Sequence, residues 1–308
     1  MSNPILYPDF RTACYAQVAG FEGPYGYQPS LVAGIIFSAL FSISMVLHTI
    51  TTIRNRLWWQ IIFAVGALTE VIGWAGRTWS SPCPYQNSPF LMQTTTLIIA
   101  PAFFTAGIYI ILGRLIVTFG NDVSPISPKA YLYIFCTADI ISLVIQAVGG
   151  ATASIAVQQT PPGDPGVGTH IMVAGIIFQL VAIIVFSILF TWVLVQAFKS
   201  RGPALQHIKI RLIIAATLFS VVVIVIRSIY RTIELLQGWE GYLITTERYF
   251  IALDGAMMVL AVAIFNVAKP GWAEMGAKEA GESFAGGREL DDLPDRDGFY
   301  RVWSVSKN

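Results

Sequence analysis

The chain has 308 residues, 55% of them hydrophobic and only 12% charged, about half the charge of an ordinary soluble domain. Nineteen Lys and Arg against 18 Asp and Glu leave a formal charge of +1. These values exclude a single water-soluble globule and the basic excess of a nucleic-acid-binding surface; an integral membrane protein is expected.

Residues 1–29 contain no charged start followed by an apolar run, so no cleaved signal peptide is expected, and they read as an extracytoplasmic N-terminal segment. Seven stretches then reach the roughly 20 apolar residues a membrane helix needs: 31–53, 58–79, 90–118, 130–153, 169–197, 207–236 and 244–267. Ser, Pro and Gly clusters at 80–84, 124–128 and 161–166 separate several of them, as breakers should. The spans are too long for barrel strands and lack their alternation. The expected fold is all-α, a polytopic seven-helix bundle over residues 30–268. Residues 269–308 are polar and charge-mixed and read as a disordered cytosolic tail.

Loop cations set the expected orientation. Arg54 and Arg56 lie in the first connection, Lys129 in the third, and Lys199, Arg201, Lys209 and Arg211 around the fifth; the second, fourth and sixth carry neither Lys nor Arg. The N-terminus is therefore placed outside and the C-terminus in the cytosol. Cys14 and Cys83 both fall on the outer, oxidising side, where a bridge would pin the N-terminal segment across the mouth of the bundle; the alternative is two unrelated thiols. Cys136, inside the fourth span, reads as an inert packing residue.

Charged groups inside spans cost roughly 2.5–3.5 kcal/mol each at a helix centre, so each asks for a reason. Here they recur seven residues apart: Glu70 and Arg77, Asp139 and Gln146, Arg227 and Glu234 with Arg231 between them, and Glu247 and Asp254. Two helical turns place each pair on one face, about 10.5 Å apart. Four helices should turn these stripes inward, mostly toward the outer leaflet. Counting Arg114 but not Glu247, four cations meet four anions, the neutral sum that mutual pairing produces. Snorkelling to headgroups is the alternative for Arg77 and the preferred reading for Arg114; Glu247 and Arg248 also suit the start of a helix at the interface. Pro101 should kink the third helix.

Several chemistries lack their residues. His48, His170 and His207 do not converge, so neither a metal centre nor a bis-histidine haem is expected. No span interior offers a lysine for a retinal Schiff base, and neither a phosphate-binding loop nor a nucleophile elbow occurs. No cofactor, metal or enzymatic activity is expected, and no protein partner is indicated.

Four ordered blocks carry a resemblance: Glu70-Val71-Ile72-Gly73-Trp74-Ala75-Gly76-Arg77; Ala100-Pro101-Ala102-Phe103-Phe104 with Ile108-Tyr109 and Leu112-Gly113-Arg114; Asp139-Ile140-Ile141-Ser142-Leu143 with Gln146 and Gly149-Gly150; and Ile226-Arg227 with Tyr230-Arg231-Thr232-Ile233-Glu234, Gly238, Gly241, Glu247 and Asp254. Over about residues 27–271 the chain resembles the fungal lipid-translocating exporter family, seven-span proteins first named for aminocholesterol resistance. The family's closing Asn-x-x-His-Pro-Gly is Asn266-Val267-Ala268-Lys269-Pro270-Gly271 here, with lysine in place of histidine. The resemblance implies a fungal source and a role in moving, exporting or resisting amphiphiles, among them sphingoid bases, phospholipids, sterol-like toxins and porphyrin. A translocator or exporter in the plasma membrane is expected, with the endoplasmic reticulum or vacuole as other addresses. The polar residues would bind substrate or provide coupling. A seven-helix receptor or sensor for a lipid-like ligand is the alternative, and a structural stress protein without ligand a third.

Overall fold

The computed structural model describes residues 14–18, 23–158, 163–200, 208–238 and 241–271. The tail beyond Gly271, most of the first 22 residues, and His207 lie outside them. Seven helices long and apolar enough to cross a membrane are present, and no strand occurs among the described residues. They are α1 (Leu31–Asn55), α2 (Ile61–Ser80), α3 (Asn87–Phe119), α4 (Pro128–Gln158), α5 (Gly166–Ser200), α6 (Ile208–Leu236) and α7 (Glu247–Val267). The protein is an integral membrane protein of the seven-helix class. Several helices outrun their apolar stretches, α5 reaching 35 residues, because backbone hydrogen bonding continues past the hydrocarbon-compatible segment.

Local sequence explains the ends. Ser30 caps α1, its hydroxyl accepting from the Ala33 amide. Gly120, at φ 103°, closes α3 in a conformation that a side chain would strain. Sequential helices lie side by side, with α2 against α1 and α3, α4 against α5, and α6 against α7. The α4–α5 contact depends on small residues, since a Cβ on Gly168 would collide with the backbone of Gly149 and Ala153.

Helix α3 forms the axis: 72% of its apolar window is buried, against 28% for α4 and 33% for α1 and α5. Its Phe104 and Ile108 share a core with Phe41, Phe63, Phe186, Phe190 and Phe265, none more than 1% exposed. The outer faces carry Val32, Ile43, Ile140, Val144, Ile188 and Trp192, each more than half exposed. Such an apolar girdle belongs in hydrocarbon. Seams between helices are tied by Ser142 to the Gly175 carbonyl, Ser220 to the Ala261 carbonyl, and Asn266 to Ser44.

Two expectations need correction here. Arg114 does not snorkel: it is 4% exposed, with its guanidinium 4.6 Å from the centre of the Trp59 ring. Because α3 is central, its last turns are enclosed by neighbouring elements and do not face headgroups. The uniform two-turn spacing also fails in α7, where Phe250–Ala256 is π-helical. A wider turn there changes the angle between Glu247 and Asp254.

Candidate functional site

The end of the bundle where α1 begins and α2 finishes is called here the clasp end. There the segment before α1 is fastened across the helices. Cys14 and Cys83 are paired, their Cα atoms 4.7 Å apart, and the Val18 amide donates to the Tyr85 hydroxyl at 2.9 Å. Tyr25 meets Ser80 at 2.8 Å and donates to Gln93 at 3.0 Å. Arg77, fully buried on α2, donates to the Tyr27 hydroxyl at 2.8 Å and to Glu247 at 2.7 Å. The other face of its guanidinium lies over Phe250, 4.5 Å from the ring centre. Glu247 also accepts from the Ser30 amide at 2.7 Å, so the start of α7 is tied to the start of α1. Burial pushes the Tyr25 phenol up to about 12, against the lowering effects of Ser80 and Arg77. It also raises the Tyr27 phenol, again opposed by Arg77.

Deeper in the bundle α6 and α7 meet through ion pairs. Arg227 lies 2.9 Å from Asp254, and Arg231 lies 2.6 Å from Glu234 and 3.9 Å from Asp254. Tyr230 donates to Glu234 at 2.9 Å. Arg227 also donates to the Leu97 carbonyl at 2.8 Å, and the reason is four residues further along α3. Pro101 has no amide hydrogen, so the carbonyl it would otherwise engage is left open, and a guanidinium from another helix takes it. The proline thus supplies an interhelical acceptor.

Asp139, on α4, is held differently. Its carboxylate accepts from Thr105 at 2.8 Å and Tyr109 at 3.1 Å, both hydroxyls on α3 one turn apart, and no cation among the described residues pairs with it. Gln146 donates to Ser142 at 2.7 Å and to Gln179 at 3.0 Å. Glu70, at 1% exposure on α2, has no hydrogen-bond partner among the described residues at either carboxyl oxygen. Its electrostatic neighbours are Asp254 and Arg227, and the Trp74 indole is near without hydrogen-bond alignment.

Two small cavities lie among these groups. The first lies among α3, α4, α5 and α6; its polar lining includes Asp139, Gln146, Gln179, Arg227 and Arg231. The second lies under the clasp and is lined by Tyr25, Tyr27, Arg77, Gln93 and Glu234. Arg231 borders both. The polar interior is therefore divided in two. Both halves are narrow, with room for water and none for a lipid headgroup without some opening.

The expected neutral sum also fails. Arg77 is committed to Glu247, and Arg114 lies over Trp59 at the far end of α3. That leaves Glu70, Asp139, Glu234 and Asp254 around Arg227 and Arg231: four carboxyls and two guanidiniums. Glu234 and Asp254 are paired; Glu70 and Asp139 are the uncompensated acids. All nine polar residues singled out in the sequence point inward. Thr105 was not singled out and Tyr109 entered only through the resemblance, although Pro101, Thr105 and Tyr109 form an i, i+4, i+8 stripe on α3.

The family model for RTA1-like proteins matches residues 63–276. A sphingoid long-chain base transporter, RSB1, of Saccharomyces cerevisiae is 31% identical over 88% of this chain and 80% of its own length. The RTA1 protein of the same yeast is 29% identical over 82% of this chain and 86% of its own. Its protoporphyrin uptake protein 1 is 28% identical over 79% and 90%. No solved structure matches the chain.

Proposed function

Because the chain belongs to the RTA1-like family, we propose that it moves single-chain amphiphiles with a cationic amine, of the sphingoid-base kind, between membrane leaflets. The observation that carries this reading is Asp139, a buried carboxylate on a cavity wall with two hydroxyl donors and no counter-cation. An uncompensated buried charge is costly. A substrate ammonium supplies the missing charge, while Gln146 and Gln179 are placed for its hydroxyl groups and Arg231 for a phosphate when one is present. The clasp end faces outward in this reading, in keeping with the loop cations.

The tail has a route beside the headgroup. Ile183 and Ile224 line the polar cavity, and their chain neighbours Ile184 and Val225 line an apolar groove on the outer surface with Ile188, Trp192 and Val195. Parting of the α5–α6 seam would let a headgroup enter while the alkyl chain stays in lipid. The test is leaflet exchange of a labelled sphingoid base in liposomes. Exchange above that of protein-free vesicles, lost in Asp139→Asn and Arg231→Ala, is expected. Wild-type exchange equal to that of both variants overturns the proposal, and saturable binding without exchange returns the receptor reading.

A further inference from the structure

Five buried side-chain atoms without hydrogen-bond partners fall on one interacting set of residues: both carboxyl oxygens of Glu70, Trp74 Nε1, Arg227 Nε and Asp254 Oδ1. Glu70 and Trp74 are one turn apart on α2, and Arg227 and Asp254 are 2.9 Å apart. Native interiors leave few such atoms, and each calls for an account; an unseen water or ion is one. Here the account must also bring positive charge, since Glu70 and Asp139 both lack a counter-cation.

We propose that Glu70 and Asp254 form a second cation site, occupied by a proton held on Glu70 with bridging water, and that this proton competes with the ammonium at Asp139. The charged groups facing Glu70 are Arg227 from α6 and Asp254 from α7. From α1 and α3 the same stretch of α2 is met by uncharged groups: Phe37 stacks on Trp74, and Leu97 and the Thr96 hydroxyl lie beside Gly73. Arg227 belongs to both sites, because it pairs with Asp254 and also lines the cavity that contains Asp139. Two cations bound around one guanidinium disfavour each other, and the coupling is reciprocal. Ammonium entry then promotes release of the Glu70 proton, and acidification weakens ammonium binding. This competition rests on the proposed function; the proton site itself does not.

The test is dicyclohexylcarbodiimide labelling of the purified full-length protein, read by peptide mass mapping. The reagent adds a protonated carboxyl across its C=N bond and rearranges to a stable N-acylurea, with no atom lost. Glu70 is expected to be labelled at neutral pH and less so as pH rises. A quaternary-ammonium sphingoid analogue should protect it about fivefold or more, and an uncharged N-acetyl analogue should not. Asp139→Asn should keep the labelling and lose the protection. Absence of a Glu70 adduct at every pH overturns the site, and labelling unaffected by the quaternary analogue overturns the competition. Suppression by sodium chloride and not by choline chloride replaces the proton with sodium. Labelling is read on wild-type protein and needs no transport, so an adduct in a protein that moves no lipid would sink the translocator reading and leave the site standing.

Discussion

The α6–α7 side of the bundle and the α3–α4 side both bury acids in the membrane, and they stabilise them by opposite means. On α6 and α7 each acid meets a guanidinium within 2.9 Å. Across the cavity, Asp139 has only the hydroxyls of Thr105 and Tyr109. The first arrangement pairs Glu234 and Asp254 with fixed cations; the second is a set of neutral donors around a charge that still lacks a counterpart. Ion pairs here serve as frame, and the unpaired carboxylate serves as receptor.

Breaking the frame should have the largest effect. Arg227→Leu leaves Asp254 with only the distant Arg231 and the Leu97 carbonyl without its donor, and a loss of about 3–5 kcal/mol is expected. It would be measured as a lower unfolding temperature of the purified protein. Arg227→Leu/Asp254→Leu should recover part of that loss; a double variant no better than the single would show that the pair is not what Arg227 sustains.

Opening the Cys14–Cys83 bridge by Cys83→Ser should come next, at the about 2–4 kcal/mol typical of a disulfide. The expected signature is protease cutting within residues 14–30 that the wild type resists, together with free thiols at neither position in non-reduced wild-type peptides. On the receptive side the effects should be smaller. Thr105→Val and Tyr109→Phe each remove one donor to the Asp139 carboxylate and should cost about 1.5–3 kcal/mol. If they cost as much as Arg227→Leu, the contrast between the two sides is lost.

The smallest effect is one of pH. The Tyr25 phenol titrates near 12 in the fold against an ordinary value of 10. The folded form thus holds its proton more tightly, and the clasp is at full strength below pH 10. Its stability should fall between about pH 10 and 12, seen as phenolate absorbance rising together with cutting of the N-terminal segment. Tyr25→Phe should remove that dependence.

The seven helices were legible because hydropathy reports the solvent around a chain, and long apolar runs have few other uses. Inward placement of the polar stripes was legible for the same reason, since lipid satisfies none of them. Pairing was not. Arg77 chose Glu247, 170 residues away, and that choice removed one cation from a sum that had looked neutral. The burial of Arg114 was hidden because exposure at a helix end depends on what surrounds the helix, and the central position of α3 is a tertiary fact. The π-helical stretch left no composition signal. Pro101 was legible as a helix defect, but its consequence depends on Arg227 arriving from α6 to take the open carbonyl.

The central claim is that the cavity lacks one positive charge at Asp139 and takes it from an amine. Thermal unfolding of the purified protein with sphingosine, with its uncharged N-acetyl analogue, and with neither, in wild type and in Asp139→Asn, tests it most directly. The account predicts a concentration-dependent rise in unfolding temperature for wild type with the amine alone, and none for Asp139→Asn. Equal stabilisation by both compounds, or by the amine in both proteins, would contradict it.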